Sequence, residues 1–201
     1  MRKPLLILCM NFIVGHIYAQ EIDNRTKVYL VKEQIDSFFI YSEFCNGNIL
    51  AFDSCSNETP QYAFIHKRGE TSIVKIDACT IYMPIKLSVN NPFEYYINNR
   101  DSIHKEVIKP PRYFYKRKKL FKTVLMEVSS SVSHSCFHTF KSTTFKTDIA
   151  VDTYDLTFKT FDDGRENIYY DANQKTKTNS LIKLTTALIK QLEEEKRFTK
   201  N

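Results

Sequence analysis

Short strand-like runs separated by turn residues fill this chain as far as Tyr170, and one long apolar stripe at helical spacing closes it. Phe38 to Phe44 and Ile49 to Asp53 flank Asn46-Gly47, a dipeptide that tolerates both positive φ angles of a type I′ turn. That arrangement predicts a hairpin with Phe44 opposite Ile49 and Tyr41 opposite Phe52. Gly69 separates Tyr62 to Lys67 from Ser72 to Ala78 and predicts a second hairpin. Asp163-Gly164 separates Tyr154 to Phe161 from Glu166 to Tyr170 and predicts a third, with Phe158 opposite Tyr169.

Between these hairpins, Thr80 to Leu87 reads as a strand, and Pro84, which has no N–H to donate, makes it an edge strand or breaks it. Asn90 to Pro92 and Pro110-Pro111 read as loops. Over Lys116 to Val128, the residues Leu120, Phe121, Val124, Leu125 and Val128 fit a helical stripe, while Val124, Met126, Val128 and Val132 fit strand alternation. The β-branched and serine-rich continuation to Thr144 favours the strand, and Thr147 to Thr157 reads as a further one.

At the C-terminus Asn179 or Ser180 caps a helix whose stripe is Leu181, Ile182, Leu184, Leu188, Ile189 and Leu192. Such a helix needs an apolar surface to cover, and an antiparallel sheet is the candidate. Phe38 to Phe44 is apolar on both faces, so at least one central strand is covered on both sides. The expected fold is mostly β (α+β): an antiparallel meander of about eight to ten strands, sheet or barrel-like, with the C-terminal amphipathic helix packed on it.

The start of the chain follows a different pattern. Arg2 and Lys3 precede an apolar run from Leu5 to Val14, and Ile17-Tyr18-Ala19 leads to Gln20, the layout of a cleaved export signal. Gly15 and His16 interrupt the run well short of the roughly 20 apolar residues a membrane anchor needs. The expected organisation is a signal peptide at 1–19 and a single β-rich globular domain at 20–201. That domain is secreted or periplasmic and has no transmembrane segment.

Cys45, Cys55, Cys79 and Cys136 remain after the leader, an even set that predicts two disulfides in an oxidising compartment. A hairpin at Asn46-Gly47 separates Cys45 from Cys55 by about 23 Å of ladder, beyond disulfide reach. The Gly69 hairpin brings Cys79 near Pro60. The pairing is therefore Cys55–Cys79 and Cys45–Cys136. Asn24 and Asn57 also head glycosylation triplets.

The formal charge of +6 is unevenly spread. Lys105, Lys109, Arg112, Lys116, Arg117, Lys118, Lys119 and Lys122 stand against Glu106 alone. Among these cations lie Tyr113, Phe114, Tyr115 and Phe121. The stretch Lys109, Arg112, Tyr113, Tyr115, Lys116, Arg117, Lys118, Lys119 and Lys122 is the candidate binding patch. For an exported chain its partners are an acidic glycan, a lipid headgroup or an acidic protein surface rather than nucleic acid. Nothing in the sequence specifies an oligomeric state.

Reactive residues are present but do not form a set. His134, Cys136 and His138 alternate along one strand face, which makes His134 and His138 candidate metal ligands. A disulfide at Cys136 removes the thiolate, so no metal or other cofactor is expected. Asp162 with Asp163, Asp152 with Asp155, and Asp101 with His104 are candidate acid–base pairs without a shared partner. Ser129 to Ser131 and Ser133 lie in no nucleophile elbow, and glycines are too few for a phosphate loop.

An exported chain of this length, with many strands, two disulfides and a terminal helix, resembles the lipocalin-like barrels in general layout. That resemblance implies an apolar small molecule held in a cavity lined by Phe and Tyr. The chain has no tryptophan, so the glycine–tryptophan signature of those proteins is absent. The leading expectation is an exported binding or interaction protein that meets an anionic or protein partner through the basic aromatic patch. The alternatives are such a carrier, or an envelope or extracellular hydrolase in which some of His66, His104, Asp162 and Asp163 meet in one cleft.

Overall fold

The computed structural model describes residues 24–35, 37–45, 59–119, 122–131, 135–142 and 148–200. Helix α1 occupies 24–32. The remaining elements, in order, are β1 (Ser37–Cys45), β2 (Gln61–Lys67), β3 (Glu70–Ile76), β4 (Ile85–Lys86), α2 (Pro92–Ile103), β5 (Arg112–Lys119), β6 (Lys122–Ser129), β7 (Cys136–Ser142), β8 (Ile149–Asp152), α3 (Thr153–Thr157), α4 (Tyr170–Gln174) and α5 (Lys177–Glu194). The fold is mostly β. Six strands form an antiparallel sheet in the order β4-β3-β2-β1-β7-β8, and β5 and β6 pair only with each other. Among the described residues the sheet ends at β4 and β8, so the barrel-like alternative and the lipocalin-like layout give way to an open sheet.

Strand β1 lies near the centre because both of its faces are apolar, and both need cover. On one face Phe39 and Tyr41 join Tyr62, Phe64, Ile73 and Phe140 beneath α2 and α5, which contribute Phe93, Tyr96, Leu181, Ile182, Ile189 and Leu192. On the other, Ile40 joins Ala63, Ile65, Val74 and Ile76 around Leu30 of α1. The C-terminal helix therefore covers the sheet as its stripe predicts, although Leu184 is left 39% exposed. Its cap is Thr176, a few residues earlier than expected, and Glu106 from a distant loop accepts the Lys177 and Thr178 N–H groups at 2.8 Å each.

The Gly69 hairpin forms as β2–β3, with Arg68 at φ 52° and Gly69 at φ 81°, the two positive angles of a type I′ turn. One pairing of the Asn46-Gly47 hairpin is a correction. Tyr41, expected opposite Phe52, lies between Tyr62 of β2 and Phe140 of β7, so both of its edges are taken. The turn and the second strand expected there, within 46–58, lie outside the described residues. The Asp163-Gly164 hairpin is a second correction. Gly164 does turn the chain, at φ 81°, with the Phe161 N–H donating to the Arg165 carbonyl at 2.8 Å. The flanking strands shrink to a bridge between Thr160 and Glu166, and Phe158 does not face Tyr169 across a ladder. Asp152 accepts the Tyr154 N–H at 2.8 Å and starts α3, and this local cap overrides the strand pattern of Thr147 to Thr157 after β8.

The expected loop holds at Asn90 and Asn91, and helix α2, which was not expected, begins at Pro92. Asn91 accepts the Phe93 and Glu94 N–H groups, Pro92 follows at the first helical position, and Glu94 sits in the first turn. Thr80 to Leu87 contributes only short pairings, the bridges of Ile81 and Tyr82 and then β4 at the sheet edge, with Pro84 in the break between them.

Cys45 and Cys136 are the end pair of the β1–β7 register and are joined in a disulfide. This is the expected pair, but it arises from a β1–β7 ladder and not from the Asn46-Gly47 hairpin used to reach it. Cys79 is also disulfide-bonded, and Cys55 lies outside the described residues.

Candidate functional site

The basic stretch folds into a two-stranded arm, β5–β6, in which Arg112 pairs with Ser129 and Lys119 with Lys122. Its root is heavily tied. Tyr113 donates its hydroxyl proton to Asp163 at 2.7 Å and meets the Phe161 ring edge-on at 4.6 Å. The Arg165 guanidinium lies 4.7 Å from the Tyr113 ring centre and 4.8 Å from that of Tyr115. The hydrogen bond from Tyr113, with the Arg165 charge beside it, holds the Asp163 carboxyl below its ordinary range. Asn167 accepts the Arg112 N–H at 3.2 Å, the Arg112 carbonyl accepts the Ile168 N–H at 2.9 Å, and Arg112 pairs with Glu127 at 2.5 Å.

Among the described residues beyond Tyr115 the arm has no such ties. Lys116, Arg117, Lys118, Lys122, Thr123, Val124 and Leu125 are exposed, so this part of the ribbon is bare on both faces. Register places Leu125 opposite Lys116 and Val124 opposite Arg117, and successive residues point to opposite faces. Each face therefore carries one cation and one aliphatic side chain at the same level. No carboxylate occurs between Glu106 and Glu127 to neutralise them.

The structure thus divides the patch. Lys116, Arg117, Lys118 and Lys122 belong to the bare end, and the backbone of Lys119 pairs with that of Lys122. Arg112, Tyr113 and Tyr115 are engaged at the root. Lys109 lies off the arm, with its ammonium 4.7 Å from the Tyr169 ring centre and its backbone held by Asn173. The signal that sequence reading missed was in Arg165 and Asp163, the residues that occupy the two tyrosines.

The other candidates are taken up by structure. His138 is buried, with Nδ1 hydrogen-bonded to Tyr41 at 2.8 Å and Nε2 to Thr153 at 3.1 Å. Burial lowers its pKa against the opposing pull of Glu43. With both ring nitrogens used and Cys136 in a disulfide, His138 is not placed as a metal ligand, and His134 lies outside the described residues. Glu43 approaches the two sulfurs, but these are bonded to each other. Asp152 caps α3, and burial, with the Asp152 charge adding to it, pushes the nearby Asp155 carboxyl up to about 6. Ser130 is hydrogen-bonded to the Tyr154 hydroxyl at 2.8 Å, and Asp101 pairs with Arg100 at 3.4 Å.

His66 lines an open groove of about 710 Å³ between β3, β4 and α2, where it stacks 5.6 Å from Phe93 and bonds Thr71 at 3.1 Å. Asp163, next to Asp162 in the Gly164 turn, belongs to the arm root, while His104 caps the end of α2 and His66 lies on β2. No helix among the described residues is long and apolar enough to cross a membrane. No protein-family model matches the chain, and neither a curated protein nor a solved structure does.

Proposed function

We propose that this chain is an exported binding protein whose β5–β6 arm engages an anionic partner. The observation that carries the reading is the bare end of the arm: Lys116, Arg117, Lys118 and Lys122 exposed on a ribbon rooted by Tyr113, Asp163 and Arg165, without a carboxylate from 107 to 126. Clustered cations of one sign raise the local concentration of anions and speed their capture. Export is supported by the Cys45–Cys136 disulfide and by disulfide-bonded Cys79, since such bonds persist in oxidising compartments.

The test is charge reversal. The triple variant Lys116→Glu, Arg117→Glu, Lys118→Glu should keep the far-ultraviolet circular dichroism of the parent and lose its retention on a heparin column at physiological ionic strength. Equal retention of parent and variant would remove the arm from the binding surface.

A further inference from the structure

We infer that the partner of the arm is the surface of an anionic lipid bilayer, which the arm enters end-on. The inference rests on the anion-binding reading above and specifies its target. Charge alone attracts any polyanion, so the discriminating residues are the uncharged ones. Leu125 is 62% exposed on one face and Val124 39% exposed on the other. Each stands directly opposite a cation, Lys116 and Arg117 respectively. A flat acidic protein surface would cover only one of these aliphatic side chains. A bilayer receives both, because a ribbon entering it tip-first is surrounded on all sides. The long stems of Lys116, Arg117 and Lys118 then lie along the apolar layer while their charges return to the phosphates.

The two tyrosines of β5 are withdrawn from stacking, and Phe114, 42% exposed on the face that carries Lys116 and Leu125, adds apolar surface for the bilayer. Single-stranded nucleic acids are gripped through ring faces on which bases stack. Both tyrosines of β5 give a face to the Arg165 guanidinium, and Tyr113 is buried besides. The arm also has the necessary reach. From Tyr115, the last clamped residue, to Lys119 is four strand steps, about 13 Å. The headgroup layer of one leaflet is about 5–8 Å deep, so a tip of this length reaches the acyl boundary while the root stays in water.

The experiment uses the disulfide-bonded protein without residues 1–19. Flotation is measured with phosphatidylcholine vesicles, with and without an equal share of phosphatidylglycerol, and heparin retention is measured in parallel. The parent should float only with the anionic vesicles. The triple charge reversal should weaken that binding on the order of a hundredfold, at about fivefold per cation. The variant Val124→Ser, Leu125→Ser should weaken vesicle binding about tenfold and leave heparin retention unchanged. All of these residues are exposed, and unchanged circular dichroism verifies the fold of each variant. Vesicle binding unaffected by the serine pair, or absent while heparin retention still depends on the arm, would overturn the bilayer and leave the anion reading standing. If neither binding depends on the arm, both readings fall.

Discussion

The six-stranded sheet and the β5–β6 arm are built from the same antiparallel ladder, yet one is held from both sides and the other stands in water. In the sheet, Phe39 is fully buried, stacked 4.5 Å from Phe64 and packed against Phe93, Tyr96 and Phe140. In the arm, side chains at the corresponding depth of the ladder, Lys116 and Leu125, are exposed. An isolated two-stranded ribbon is marginal in water, so the arm depends on its root, where Tyr113, Arg165 and Asp163 supply the contacts that further strands supply to β1. Stability is concentrated in the sheet, which leaves the end of the arm free to carry charge that a core would not accept.

Four substitutions test that contrast, in order of expected effect. Phe39→Ala should cost about 3–5 kcal/mol in urea unfolding, because it empties the centre of the aromatic cluster. A cost as small as an exposed residue's would mean that the sheet is not the stable unit. Asn173→Ala should cost about 2 kcal/mol. Its buried amide donates to the carbonyls of Lys109 and Asp155 and accepts the Lys109 N–H, tying the lead-in of the arm to α3 and α4.

Asp155→Asn acts through pH. The Asp155 carboxyl is pushed up to about 6 in the fold, above its ordinary 3.8, so the native state binds this proton more tightly than the unfolded chain. Stability from this group therefore falls as pH rises from about 4 to 6, and the penalty is fully present above that window. The asparagine variant should be more stable than the parent by about 1 kcal/mol at pH 8, after allowance for solvent screening, with the gap closing by pH 4. A gap that is constant with pH would show that Asp155 does not titrate in this range. The smallest effect belongs to the arm. Lys116→Glu, Arg117→Glu, Lys118→Glu should change the free energy of urea unfolding by no more than about 0.5 kcal/mol, and a larger loss would mean that these side chains hold structure.

Much of the fold was legible where neighbouring residues decide the outcome. The turn at Arg68-Gly69 needs only a local preference for positive φ, and α5 needs only its leucine and isoleucine period. The signal for α2 was equally local and went unread: Asn91, Pro92 and Glu94 are a cap, a first helical residue and a first-turn acid in order. Of the site, the cationic run was plain, but its division into an engaged root and a bare tip was not, because Asp163 and Arg165 arrive from some fifty residues away.

By itself, then, the chain determined its turns at Gly69 and Gly164, its last helix, the two-sided apolarity of β1 and the unbalanced charge of Lys116 to Lys122. Only the tertiary structure decided that β1 pairs with β2 and β7, that Cys45 meets Cys136 across a separation of 91 residues, and that β5–β6 stays out of the main sheet. The reason is energetic. Closing a longer loop costs little more than closing a shorter one, so distance along the chain does not keep β7 from pairing with β1 where that covers apolar surface.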